Sequence, residues 1–483
     1  MRVIARAGGA LATLVACAGI LAVGSRPATT AGTGDNWLAY GRTPDVSNVA
    51  AAVGGLTPAA LATPKLLWRT AVSGAVVAEP LYVSRLEVGG VVHRVLFVAT
   101  THNLVYALDA HSGAVLWRRS LGTVVKNICG GTNGINGTPV IDLQKGLLYV
   151  IGDRGKLHAL ELNSGAEARG WPVGVVSRTA VEYVWGALRI VGGRIYVPIA
   201  NTCDQPQNGV FPEGRIVAID ESTRRTVFRF DVVPGPDNGG GVWALGGVSV
   251  DPTDGTLYAG TSNAFTFNGS TLVKDPPYAE RVVHLTPSLK LLGSESQTFH
   301  SGTDQGFGST PLLFRPSGCP PLAAANSKNG ALYVWRRGAA FGNPTVPPLL
   351  VARIGQTSGG EFVSQPTWVA SARMLVAAAG DVTVDGTETQ GPVAFHVDAG
   401  CTFTQAWNVG LGGGTATQPL AIGNVVLTLG PNDGKLAFIN AGTGTVLSTL
   451  DIGGSYAPPI AADGVIYDAT GGGTVAAYVG SGG

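Results

Sequence analysis

His93-Arg-Val-Leu-Phe-Val-Ala99, the polar turn Thr101-His-Asn103, Leu104-Val-Tyr-Ala-Leu-Asp109, the tight turn Ala110-His-Ser-Gly113 and Ala114-Val-Leu-Trp117 form the stretch that decides the fold. Short apolar runs broken by Gly, Asn and Asp turns read as successive antiparallel strands. The unit returns at Gly146-Leu-Leu-Tyr-Val-Ile-Gly152 with Leu157-His-Ala-Leu-Glu161, and at Arg194-Ile-Tyr-Val-Pro198 with Ile216-Val-Ala-Ile-Asp220. Further copies begin at Thr256, Leu322, Met374, Val425 and Val465. A spacing of about 40 to 60 residues is that of one four-stranded propeller blade per repeat.

Most copies are preceded by a short segment carrying Pro, as in Ala78-Glu-Pro80-Leu81, Gly137-Thr-Pro139-Val140, Ser309-Thr-Pro311-Leu312, Ser364-Gln-Pro366 and Thr417-Gln-Pro419-Leu420. This segment reads as the innermost strand, with Pro at a position that needs no ladder donor. After Thr474-Val-Ala-Ala-Tyr478 the chain has no outer strand left, whereas Lys65-Leu-Leu-Trp-Arg69 has outer-strand character and no blade of its own. The expected fold is therefore all-β: one eight-bladed β-propeller over residues 64–480, its final blade closed by the N-terminal strand, which leaves no central edge exposed.

Composition agrees. Of 483 residues, 71 are Gly and 29 Pro, and only 13% are charged, which suits turns and strands better than solvated helices. The net charge of +1 carries no basic cluster, so nucleic acid and anionic membrane surfaces are excluded as partners. A protein or a small neutral ligand fits better, and the chain is expected to be a monomer. Arg2 and Arg6 precede an apolar run from Ala7 to Val23, followed by small residues up to Ala31, the pattern of an export signal over residues 1–31. Leu14-Val-Ala-Cys17 also resembles a lipobox, in which Cys17 becomes a lipidated first residue. The protein is expected outside the cytoplasm, as a secreted, periplasmic or membrane-tethered species, with an N-terminal extension over 32–63.

Ala107-Leu-Asp109-Ala-His-Ser-Gly113-Ala-Val-Leu-Trp117 resembles the tryptophan-docking motif of the pyrroloquinoline-quinone (PQQ) dependent alcohol dehydrogenases. Glu161 with Gly165, Asp220 with Phe228, and Asn440 with Gly444 keep parts of it. Gly239-Gly-Gly-Val-Trp243, Tyr258-Ala-Gly-Thr-Ser-Asn263 and Asp304-Gln-Gly-Phe-Gly-Ser-Thr-Pro311 are most similar to the polyvinyl-alcohol-dehydrogenase-like members. The resemblance implies PQQ and Ca²⁺ as cofactors, with Asn263 and Asp304 toward the metal, Asp304 as catalytic base, and Lys328 and Trp243 toward the quinone. A hard cation with oxygen ligands beside a carboxylate base is suitable chemistry for oxidising an alcohol. Asp153, Asn201 and Asp381 are expected to line the same axial funnel, all at second-strand ends or connections between blades.

Several features depart from that family. The vicinal Cys pair is reduced to Cys129-Gly130, the following Arg is absent from Asn133-Gly-Ile135, the early Glu has become Val77, and Ala200-Asn201-Thr-Cys203 has no acid before Asp204. No Cys-x-x-Cys-His is present, so any electrons from a quinone would need a separate acceptor. The sequence therefore favours a degenerate, ligand- or protein-binding scaffold, with a PQQ-dependent alcohol dehydrogenase as the alternative. For Asn263 and Asn326, a turn residue satisfying its own backbone is the competing reading. In an oxidising compartment the repeat map pairs Cys129 with Cys203 and Cys319 with Cys401, the first pair on the funnel face and the second on the opposite one.

Overall fold

The computed structural model describes residues 35–50, 53–126, 132–152, 154–201, 212–235, 239–268, 271–274, 277–298, 305–355, 364–384, 387–411, 417–430 and 434–482. Among them, eight sheets of four or five antiparallel strands follow one another along the chain as the blades of a propeller. The first blade pairs Leu81–Val88, Val91–Thr100, Leu104–Asp109 and Val115–Ser120 in that order. The last contains Ile460–Ala462, Val465–Ala469 and Thr474–Val479, and its fourth strand is Lys65–Ala71 from the start of the chain. Lys65 lies opposite Val479 and Ala71 opposite Thr474, so the expected closure is present.

Pro80, Pro139, Pro311, Pro366 and Pro419 each stand immediately before an innermost strand rather than within it. A residue without an N–H starts the strand at no cost to the ladder.

Adjacent blades are locked by tryptophans on outer strands. Trp117 Nε1 donates to Leu162 O of the next blade at 2.9 Å, Trp68 to Ala110 O at 3.1 Å, and Trp407 to Ala441 O at 2.9 Å. Each indole lies on the tight turn that follows the neighbour's third strand. At Gly113, where φ is +74°, a Cβ would come within 2.5 Å of the Trp68 ring, so that turn must be glycine for the indole to dock. The aromatics of the final and sixth blades are therefore retained, although the sequence showed only the Trp117 copy plainly.

In each blade the second-to-third-strand turns and the connections between blades share one face, here the funnel face. The first-to-second and third-to-fourth turns share the other. Innermost strands leave a hydrogen-bonding edge toward the axis, and such an edge needs a partner. The extension supplies it. Trp37 exchanges two 2.8 Å backbone bonds with Tyr82, and Leu38, Pro44, Asp45 and Asn48 accept from the amides of Ile141, Val250, Leu313 and Ala421 at 2.8 to 3.2 Å. Residues 37–50 thus run along the inner strands of the first, second, fourth, fifth and seventh blades. Glu79 anchors this path: its Oε2 accepts from Trp37 Nε1 at 3.1 Å and Gly41 N at 2.8 Å. Full burial pushes the Glu79 carboxyl up to about 8.

Cys319 and Cys401 form the expected disulfide, with Cα atoms 5.5 Å apart, and staple the fifth blade to the sixth. Cys129 and Cys203 lie outside the described residues. Closing a loop with a sequence separation of 82 restricts the unfolded chain, and the double variant Cys319→Ser/Cys401→Ser is expected to lose about 3 kcal/mol of stability. Urea unfolding of both proteins measures it. An unchanged midpoint would show that the bond contributes nothing.

Candidate functional site

Four of the residues singled out from the sequence meet on the funnel face between the third, fourth and fifth blades. Asn201 ends the strand Arg194–Asn201, is buried, and donates from Nδ2 to Gly240 O at 2.7 Å. The segment leading to Trp243 passes directly over it. Val242 N bonds Ile199 O at 3.2 Å, and Ser262 N bonds Gly241 O at 2.9 Å, tying this segment to the strand ends of two blades. Asn263 follows Ser262 and is only 4% exposed.

Gly306 wedges against this group. A Cβ at that position would meet Ser262 Cα at 2.6 Å and Asn263 N at 3.0 Å, so no side chain fits. Its carbonyl accepts from Lys328 N at 3.1 Å, and the Lys328 Nζ lies 4.7 Å from the centre of the Trp243 ring. An ammonium in that position is held by the ring's negative face. Asn263, Trp243 and Lys328 are thus brought together around the loop that continues from Asp304.

Asp304 and Asp153 lie outside the described residues. Asp381 stands opposite Gln390 in the hairpin of Met374–Val384 with Thr387–Val397, on a second strand of the sixth blade. Asn326 serves the fold: its Nδ2 donates to Ser364 O at 3.0 Å and to Ala378 O at 3.3 Å, stitching the fifth blade to the sixth. Val77 carries no acid into the site, and the carboxylate two residues on, Glu79, is used by the extension.

Sequence reasoning missed three neighbours. Glu280 is buried at φ +54° and bonds through its N–H to Ser262 O at 3.0 Å, which places a carboxylate residue beside Asn263. Its position just before the strand Arg281–Leu285, on the same face as the Asn263 loop, was the available signal. Gln297 Nε2 donates to Ser327 Oγ at 2.8 Å, and Ser327 Oγ donates to Gln305 O at 3.1 Å. Gln305 itself has no solvent exposure, and among the described residues neither Oε1 nor Nε2 has a hydrogen-bond partner.

These donors, taken among the described residues alone, do not complete a calcium–quinone site. Among the described residues no three His, Cys, Asp or Glu side chains come together, whereas Ca²⁺ takes six to eight oxygens with several carboxylates. The Asn201 amide nitrogen is committed to Gly240, and the Lys328 ammonium sits over one face of the Trp243 ring. What gathers at the rim is mainly amide and hydroxyl chemistry.

The fold is an all-β propeller of eight blades. It contains PQQ-type repeats: residues 38–197 and 101–274 match the PQQ repeat family described as outer membrane protein assembly factor BamB. No protein of curated function matches the chain in sequence. Among solved structures it is similar to the quinohemoprotein alcohol dehydrogenase from Comamonas testosteroni, with 18% identity over 92% of this chain and 80% of that one, at a TM-score of 0.68. A europium-containing methanol dehydrogenase gives 16% identity over 88% and 87%, at 0.66. BamB from Moraxella catarrhalis gives 16% over 87% and 99%, at 0.55. Identities this low show the shared fold alone.

Proposed function

We propose that the protein is an exported binding scaffold whose funnel rim holds a protein partner or a small neutral ligand. The observation that carries this reading is the convergence of Asn201, Trp243, Asn263 and Lys328 at strand ends of the third, fourth and fifth blades, a rim of amide, aromatic and ammonium chemistry. Groups of this kind suit hydroxyl and peptide partners. Residues 1–31 serve as the export signal, with Cys17 as the lipid-bearing residue if the chain stays tethered. The disulfide on the opposite face suits an oxidising compartment.

A second reading, a PQQ-dependent alcohol dehydrogenase with Asp304 as base, draws on the contact of Gly306 with both the Asn263 and the Lys328 loops. Titrating the purified chain with PQQ and Ca²⁺ while following dye-linked oxidation of primary alcohols separates the two. The scaffold predicts no turnover above background. Saturable quinone binding with turnover that Asp304→Asn removes would replace it with the enzyme.

A further inference from the structure

The first hairpin of the first blade differs from its counterparts. Leu81–Val88 has 8 residues, whereas the innermost strands of the other blades have 2 or 3. The excess pairs Leu86 with His93, Glu87 with Val92 and Val88 with Val91. The third strand ends at Asp109, opposite Val95, so these pairs project beyond the blade on the face opposite the funnel. The tip, Val88-Gly-Gly-Val-Val92, has no polar side chain. In every other blade the corresponding turn with its flanking residues holds a charged or amide side chain, from Asp142 in the second blade to Asp463 in the last. Val91 and Val92 point to opposite sides of their strand, yet they are 57% and 53% exposed. A Cβ on Gly89 or Gly90 would meet nothing within 4 Å. The tip therefore leans on no other part of the fold, and an aliphatic projection of this kind marks a contact with an apolar partner.

The described chain begins at the stem of this hairpin. Asn36 Oδ1 accepts from Ser84 N at 2.8 Å, and Asp35 Oδ2 accepts from Asp463 N of the adjoining last blade at 3.1 Å. The preceding residues, with the apolar run 7–23 and the lipobox-like Cys17, thus join the fold beside the projecting tip. Leu66 and Leu67 of the closing strand, each 48% exposed, lie at the same end of the last blade. From Cys17 to Asp35 the chain spans at most about 60 Å, so lipid on Cys17 would keep the tip close to the same bilayer. One acyl chain holds a protein to a membrane only marginally, and a second contact makes the attachment stable.

We propose that the Val88–Val92 tip inserts into the surface of a phospholipid bilayer and orients the propeller with its funnel facing away from the membrane. The inference rests on the tethered form of the proposed function, which the mass of the mature chain tests by itself by reporting whether Cys17 carries lipid. The near-neutral chain gives no preference for anionic lipid, so phosphatidylcholine vesicles are the probe. Full-length protein carrying Val91→Cys is labelled there with an environment-sensitive fluorophore, and His102→Cys, exposed on the funnel face of the same blade, serves as comparison. Vesicles should shift the residue 91 emission to the blue and leave the residue 102 emission unchanged, with unsubstituted protein giving the labelling background. Adding Val92→Asp should remove the shift, with thermal unfolding confirming a folded chain. The proposal falls if residue 91 shows no shift, with or without lipid on Cys17, if residue 102 shifts equally, or if Val92→Asp changes nothing. It also falls if the shift develops with protein concentration in the absence of vesicles, since the tip would then join two copies of the chain.

Discussion

Replacing Arg215 with Met is expected to destabilise the folded chain by about 3 to 5 kcal/mol, because it leaves a buried carboxylate without its counter-ion. Glu182 and Arg215 are both buried, and the guanidinium meets the two carboxylate oxygens at 3.0 and 3.1 Å in the two-pronged geometry that favours Arg over Lys. Glu182 Oε1 also accepts from Glu213 N at 2.9 Å. The pair is placed where it matters for the rim, since Glu182 lies directly opposite Asn201 in the sheet. The double variant Arg215→Met/Glu182→Leu removes both charges together and should recover most of the loss. Urea unfolding at neutral pH compares the three proteins. A loss below about 1 kcal/mol for Arg215→Met would mean that water or a rearranged loop solvates Glu182 after all.

The ring was legible because its signals are local and repeated. Tyr149, Tyr196, Tyr258 and Tyr467 recur at matching places in second strands, each fully buried, and the turns between strands keep Asp, Asn and Gly. Closure by Lys65–Ala71 and the Cys319–Cys401 bond followed from the same register. Residues 37–50 were not legible as a lining of the axis, because their role is to answer backbone edges from five blades, and backbone edges leave no mark in side-chain pattern. Trp68 and Trp407 were not recognised as docking residues, since neither follows an Asp-x-x-x-Gly turn of its own as Trp117 follows Asp109 and Gly113. At the rim, motif likeness found Asn263, Trp243 and Lys328, whose convergence depends on turn glycines. It could not find Glu280 or Gln305, which carry no motif role and gain meaning only through burial.

Asp468→Asn should remove much of a pH dependence that weakens the native protein as neutrality is approached from the acid side. Asp468 is fully buried in the second strand of the last blade, and among the described residues neither carboxyl oxygen accepts a well-formed hydrogen bond. Burial raises its pKa from the ordinary 3.8 to about 7, opposed only by the nearby Ala469 amide. Between those values the unfolded chain has released this proton and the folded chain still holds it. The folded state then binds more protons, so stability is full below about pH 4, falls as pH rises, and levels off above about 7. The shift corresponds to about 4 kcal/mol across the window. Asn keeps the shape and carries no proton to lose, so the variant should gain on the parent by about that amount between pH 4 and 8. Glu79, raised from 4.5 to about 8, imposes a slope of the same sign, which the variant retains. Paired urea titrations at pH 4.5 and 8 measure the difference. If the two proteins keep the same gap at both pH values, Asp468 is ionised in the native state and a counter-charge reaches it through the blade.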